Sequence, residues 1–283
     1  MKIHATNSGY FKLDGGAMFG VVPKILWNKI NPADENNYCD WAMRCMLVED
    51  GKRLLLVDTG IGAKQDARFF SHFPLHGSDS LEKSLKQRGF TFDDVSDVFL
   101  THLHFDHCGG AIRYNADRTR LEPAFKNATY WSHPEHWKWA MNPNARERPS
   151  FLKENILPIK ESGQLKFVGD ASGVFPGLGI KIANGHTNAM MMPHIQYKGK
   201  TVVFVADLVP STGHIPLPYI MSYDTRPLVT LEEKEIFLNE AADEGHVLFM
   251  EHDPRHECCT VQRTEKGVRL KEVFQLEEYF ARH

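Results

Sequence analysis

The sequence predicts an α/β fold in which two similar halves gather their polar residues along one edge. Three observations predict it. Two apolar hairpins each end on an aspartate, Asp58 and Asp207. Two later short apolar strands each run into a histidine, His102 and His252. The segment between them, Thr101-His102-Leu103-His104-Phe105-Asp106-His107-Cys108-Gly109-Gly110, concentrates imidazole and carboxylate groups just beyond one of those strands. Ligands of open α/β sheets collect at the carboxyl ends of strands.

The elements follow in order. Gly9 to Leu13 reads as a strand. The stretch from Gly15 to Trp27 is glycine-rich at its start, apolar and without clean periodicity. It is either a buried connection or the wall or lid of an apolar pocket. Trp41 to Val48, the turn Glu49-Asp50-Gly51-Lys52, and Arg53 to Val57 form the first hairpin. A helix follows over Asp79 to Arg88, capped by Asp79 or Ser78. Asp97 to Leu100 is the strand running into His102, another short strand lies around Tyr130, and Pro134 opens a helix through Trp139. The second half echoes the first. Met192 to Tyr197, a Lys198-Gly199-Lys200 turn and Thr201 to Ala206 end at Asp207. A helix over Leu231 to Ala242 and a strand from His246 to Met250 then lead to His252. The expected organisation is one domain over residues 1–283, with halves of roughly 1–160 and 161–283.

Composition narrows the function. With 42% hydrophobic and 24% charged residues, the chain is ordinary for a globular protein rather than a disordered one. A formal net charge of −3, with no basic run interleaved with aromatics, excludes nucleic acid as an expected partner. The opening Met1-Lys2-Ile3-His4-Ala5 lacks the apolar core of a secretory signal. No apolar run approaches the roughly 20 residues of a membrane helix. A cytoplasmic location without membrane association is expected. Cys39, Cys45, Cys108, Cys258 and Cys259 are odd in number and irregular in spacing, which suits free thiols. With no Cys-x-x-Cys pair, a zinc-finger cage is excluded.

In extended chain, residues two apart face the same way, so His102 and His104 can grip one ion. A turn into helix near Asp106 would swing Asp106 and His107 toward an adjacent position. Imidazole and carboxylate suit zinc.

This His-x-His-x-Asp-His run resembles the signature of the metallo-β-lactamase superfamily. Further ligands of that family occur in the order His, Asp, His, and here Gly185-His186-Thr187, Ala206-Asp207 and Glu251-His252-Asp253 match them. The resemblance covers the chain from Asp58 to His252. It implies a four-layer αββα sandwich and two divalent ions, zinc first among the candidates, with manganese, iron and cobalt also suited. It further implies that His102, His104 and His186 hold one ion, that Asp106, His107 and His252 hold the other, and that Asp207 bridges both. Asp58, in Asp-Thr-Gly, would orient a ligand histidine through its ring N–H. Ions roughly 3.5–4 Å apart can share a hydroxide that is nucleophilic at neutral pH. One departure is visible. Where the family often reads Gly-His-Thr-Pro-Gly-His, this chain reads Gly185-His186-Thr187-Asn188-Ala189-Met190.

Elimination narrows the branch. Only about thirty residues follow His252, too few for the C-terminal helical region of glyoxalase II-like members. The flavin domain of flavodiiron proteins, the export signal of secreted β-lactamases and the basic arm of tRNA-processing members are not seen. What remains resembles the lactonase and organophosphate-hydrolase branch. The expected reaction is hydrolysis of a lactone or ester, with N-acyl-homoserine lactones as the leading substrate. The expected alternatives are a phosphotriesterase or phosphodiesterase on the same metals, and a metal-binding scaffold without turnover. Met18 and Phe19 are expected to line the acyl pocket, and Asp106 to assist departure of the alkoxide. Some lactonases place a tyrosine three residues after the bridging aspartate. Pro210 stands there in this chain, so that role is vacant or passes to His214, Tyr219 or Tyr223. His214 is expected to polarise the leaving group. Exposed apolar parts of the N-terminal segment could equally form a homodimer contact.

Overall fold

A computed structural model describes residues 1–169 and 173–282. Its strands are β1 (Lys2–Asp14), β2 (Tyr38–Glu49), β3 (Leu54–Val57), β4 (Leu75–His76), β5 (Asp97–Phe99), β6 (Ile112–Tyr114), β7 (Leu121–Pro123), β8 (Thr129–Ser132), β9 (Leu165–Phe167), β10 (Leu178–Ala183), β11 (Met190–Tyr197), β12 (Lys200–Phe204), β13 (Val247–Phe249), β14 (Cys258–Thr264) and β15 (Gly267–Phe274). Its helices are α1 (Gly15–Phe19), α2 (Lys24–Trp27), α3 (Ala67–His72), α4 (Leu81–Gln87), α5 (Phe105–Cys108), α6 (Pro134–Met141), α7 (Lys153–Glu161), α8 (Pro227–Glu244) and α9 (Leu276–Arg282).

The strands form a seven-stranded sheet ordered β4-β1-β2-β3-β5-β8-β9 and a six-stranded sheet ordered β10-β11-β12-β13-β14-β15, with β6 and β7 as a separate hairpin. Strand alternation decides which layer each side chain joins. Met46, Val48, Leu55 and Val57 point into the core shared with Met191, Val203 and Phe249 of the second sheet. Their neighbours Cys45, Leu47, Leu54 and Leu56 point the other way and meet Leu85 of α4 and Ile156 and Ile159 of α7. On the far side of the second sheet, Phe237, Leu238 and Ala241 of α8 close the core. The layers are therefore helix, sheet, sheet, helix.

Both sheets repeat one local topology. The antiparallel pair β2–β3 is followed by β5 parallel to β3, with Leu55 opposite Asp97. The pair β11–β12 is followed by β13 parallel to β12, with Val202 opposite Val247. The chain leaves β3, β5, β12 and β13 at the same edge, where Asp58, His102, Asp207 and His252 follow.

Several boundaries differ from the sequence expectation. β1 starts at Lys2 and pairs with β2 along its length, because its outer face tolerates polar residues while Ile3 and Phe11 pack inward. The helix expected from Asp79 begins at Leu81, and its cap is Ser80, whose Oγ accepts from Lys83 N at 3.3 Å. Strand β12 stops at Phe204, before the left-handed φ of +44° at Ala206. Helix α8 extends at both ends, from Pro227 in its first turn to a left-handed Gly245 cap. The Gly15–Trp27 stretch folds into α1 and α2, held by Asp14 accepting from Ala17 N at 2.7 Å. No helix among the described residues is long and apolar enough to cross a membrane.

Candidate metal centre and its cavity

Short turns at the strand ends deliver the polar groups. Beyond β5 the chain stays extended through His102 and His104, then turns into α5, which carries Asp106 and His107. His102 Nε2 and His186 Nε2 lie 3.0 and 3.1 Å from His104 Nδ1. Asp207 Oδ2 lies 3.1 Å from His186 Nε2 and 3.8 Å from His102 Nε2. On the other side, Asp207 Oδ1 lies 3.1 Å from His252 Nε2. His252 Nε2 is 3.2 Å from His107 Nε2, and each is 3.8 Å from Asp106 Oδ2. The structure thus brings together His102, His104, His186 and Asp207 as one group and Asp106, His107 and His252 as a second, with Asp207 between them.

Proton bookkeeping shows what the cluster lacks. The outer ring nitrogen of every histidine faces an acceptor. His186 Nδ1 meets Asp224 Oδ1 at 2.8 Å, His104 Nε2 meets Glu147 Oε1 at 3.1 Å, and His252 Nδ1 meets the Ala42 carbonyl at 2.8 Å. His107 Nδ1 lies 3.0 Å from Asp58 Oδ2 and 3.1 Å from Glu251 Oε2. The Thr101 hydroxyl donates to Asp58 Oδ2 at 2.6 Å, so its oxygen accepts from His102 Nδ1 at 3.1 Å. With the protons on the outer nitrogens, the inner nitrogens converge as bare lone pairs. Asp207 Oδ1 is likewise buried without a hydrogen-bond donor. Convergent buried lone pairs repel unless a cation sits among them. Tetrahedral zinc with ligands at 2.0–2.1 Å separates neighbouring ligand atoms by about 3.3 Å, close to the spacings here. The donor set fits divalent metal ions.

Before a cation binds, Asp207 and the neighbouring carboxylates draw protons onto part of the cluster, raising His186 to about 10, His252 to about 9 and His107 well above the ordinary imidazole range against the effect of burial, and a divalent ion would replace those protons. Burial disfavours charge on Asp207, yet the surrounding His186, His107 and His252 hold its carboxyl well below the usual range. Burial, with His107 and His104 alongside, holds His102 well below the ordinary imidazole range, the neutral state a ligand needs. Burial pushes the Glu251 carboxyl up to about 8, against the pull of His107.

A cavity of about 670 Å³ opens directly onto this cluster, reaching His104, Asp106, His186, Asp207 and His252. Its remaining wall is chiefly apolar, with Met18, Phe69, Phe73, Phe105, Leu152 and Met221. Of the residues expected to contact substrate, Met18 and Tyr223 line it. Phe19 lies behind the wall, fully buried and stacked between Trp27 and His214 at centroid distances of 5.4 and 4.5 Å. Tyr219 meets Phe19 edge-on from outside the cavity lining. His214 is 1% exposed and outside the lining. Its Nε2 meets the Met18 carbonyl at 2.9 Å and its Nδ1 meets Ser211 Oγ at 2.8 Å. Both ring nitrogens are therefore occupied, and the ring supports the segment carrying Met18.

Sequence reasoning missed Glu147 and Asp224, which meet the outer nitrogens of His104 and His186, and Glu251, whose carboxyl lies 3.1 Å from His107 Nδ1 beside Asp58. Only Glu251, adjacent to His252, carried a local signal. His136 also braces the cluster. Its Nε2 accepts from Leu103 N at 2.8 Å, between two of the ligand histidines, and its Nδ1 donates to the Asn188 carbonyl at 2.6 Å.

Residues 44–257 match the family profile described as the metallo-beta-lactamase superfamily. A probable metal-dependent hydrolase from Staphylococcus aureus has a similar structure, with a TM-score of 0.87 and 26% identity over 98% of this chain and 97% of that chain. AidC, a dizinc quorum-quenching lactonase crystallised with a homoserine product, superimposes with a TM-score of 0.79 at 22% identity, covering 97% of both chains. An N-acyl homoserine lactonase from Bacillus thuringiensis is 27% identical over 153 residues, 50% of this chain and 54% of that protein. The chain spans about half the length of the curated relatives it matches.

Proposed function

Because this chain belongs to the metallo-β-lactamase superfamily, we propose that it is a dinuclear metal-dependent hydrolase that opens lactone rings, with N-acyl-homoserine lactones as the leading substrate class. The observation that carries this reading is the junction of the metal cradle with an apolar cavity of about 670 Å³. A polar ring at the cradle and an aliphatic chain along Met18, Phe105 and Met221 match that division. Named relatives in the same fold include lactonases.

Divalent ions at these ligands, zinc foremost, would supply an activated water and a Lewis acid for the carbonyl. The rest falls to the protein. Asp207 sets the spacing between the two ligand groups. Asp58, Glu147 and Asp224 fix ring orientation through the outer nitrogens, which also keeps the inner nitrogens free of protons. Asp106 faces the cavity, where its carboxylate would take a proton from the attacking water as the new C–O bond forms and pass it to the alkoxide oxygen as the ring C–O bond breaks. Crowding by neighbouring protein and the Asp106 carboxylate push the Tyr223 phenol well above its ordinary value, so it stays a hydrogen-bond donor at neutral pH. From the cavity wall it can hold a polar group of the substrate. The apolar lining keeps competing water away from the acyl chain.

The test is proton release from a long-chain N-acyl-homoserine lactone by zinc-loaded protein, with Asp106→Asn as the control. Hydrolysis that the variant loses supports the proposal. Well-metallated protein that leaves the lactone intact but cleaves a phosphotriester overturns the lactone assignment.

A further inference from the structure

A second cluster of metal-binding side chains lies at the opposite edge of the second sheet. The cradle follows the carboxyl end of β13, whereas His246 immediately precedes its amino end. Helix α8 stops at Gly245, whose left-handed φ of +67° turns the chain back beneath the helix. That turn buries the His246 ring, 3% exposed, against the last turn of α8. Glu240 and Glu244 stand one helical turn apart on the face above it.

The ring is only loosely held. Its Nδ1 is buried with nothing to bond. Its Nε2 points between the two carboxylates, 3.6 Å from Glu240 Oε1 and 3.5 Å from Glu244 Oε2. Those separations are too long for good hydrogen bonds, which lie near 2.7–3.2 Å. They are within a few tenths of an ångström of the roughly 3.3 Å ligand spacing around tetrahedral zinc. All three donor atoms lie within 4.8 Å of one another. Two further features favour a cation. The free carbonyls at the C-terminal end of an 18-residue helix carry partial negative charge. His194 stands beside His246, ring centroids 6.4 Å apart, with its own Nε2 buried and unpartnered. Lys181 pairs with Glu240 through Oε2, leaving Oε1 directed at His246.

We propose that Glu240, Glu244 and His246 form a separate binding site for one divalent transition-metal ion of the zinc class. Two carboxylates and one imidazole supply three ligands, and water completes the shell. The ion would fasten the end of α8 to the start of β13. The same helix carries Glu233, which accepts from Asn184 N and Gly185 N ahead of His186. The site would thus brace an element that reaches the cradle.

The test counts metal. Wild-type protein and the variant E240Q/E244Q are dialysed against buffered zinc, and bound zinc per folded chain is measured by mass spectrometry. The wild type is expected to hold one zinc more than the variant, whatever number the cradle holds. H246Q should lose the same single equivalent, with circular dichroism confirming its fold. E232Q/E235Q, which changes exposed glutamates elsewhere on α8, should keep the full count. Equal counts for wild type and E240Q/E244Q would overturn the site. So would loss of zinc by E232Q/E235Q, which would show diffuse binding to surface carboxylates.

Discussion

The two hairpins end on acids that look alike in sequence and do different work. In the first half, Asp58 itself adopts the left-handed conformation, with φ +57°. Its carboxylate turns back to accept from Thr101 N at 2.8 Å and to meet His107 Nδ1 at 3.0 Å. In the second half, the left-handed residue is Ala206, with φ +44°, and the acid comes one position later. Asp207 therefore projects between the two histidine groups instead of behind one of them. A non-glycine residue in this region costs about 1–3 kcal/mol, so the surrounding structure must hold both turns. A single residue of offset separates an acid that lies behind His107 from one that lies between the two histidine groups.

The sharpest way to break this comparison is to neutralise both acids. Asp207→Asn removes the negative charge shared by the two groups. It should lower bound metal and cut lactone turnover about 10³-fold, the scale of several kcal/mol of metal-derived stabilisation. Asp58→Asn keeps the shape and weakens the hold on His107. Its expected cost is about 10–100-fold in metal affinity or rate. Metal analysis and steady-state kinetics on the two variants check the ranking. Equal losses would mean that the offset does not separate their roles.

The same comparison shows what could be read from the chain. The histidine–aspartate cluster was legible because His102, His104, Asp106 and His107 are close in sequence and because Asp207 and His252 each follow a short apolar strand. The layers came only with the family resemblance, because β2 and β3 are apolar on both faces and nothing in the residue types shows that Met46 and Leu47 face opposite layers. Glu147 and Asp224 were not legible. They come from loops without periodicity, and only tertiary packing brings them to His104 and His186. Neither did sequence distinguish Met18 from Phe19, since an aperiodic apolar stretch does not reveal which side of a turn faces a cavity.

That pair repeats the one-residue offset at the cavity wall, with a smaller expected effect. Phe19 is wholly buried against Trp27, Trp41 and His214. Phe19→Ala should cost about 3–5 kcal/mol in denaturant unfolding. Among molecules that remain folded, its effect on KM should not depend on acyl length. Met18→Ala removes cavity lining instead. It should raise KM a few-fold for long acyl chains and little for short ones, at about 0.8 kcal/mol per buried methylene lost from contact. Chain-length dependence in Phe19→Ala alone would reverse the assignment.

The smallest effect on turnover concerns His214, behind Phe19. Burial drives its imidazole down to about 3, against the opposing hydrogen bond to the Met18 carbonyl. The folded protein therefore keeps this ring neutral through a range in which the unfolded chain, with an ordinary value near 6.5, takes up a proton. Its contribution is complete above about pH 6.5 and is lost progressively as pH falls toward 3. The loss is at most about 1.4 kcal/mol per pH unit. His214→Gln removes that proton uptake while offering an N–H to the Met18 carbonyl. Urea unfolding of metal-free wild type and variant between pH 7 and 4 should show a shallower acid decline for the variant, because the ligand histidines contribute alike to both. Turnover at neutral pH should change only a few-fold. A collapse of kcat with unchanged stability would instead place the ring in contact with substrate, on the cavity side of the wall.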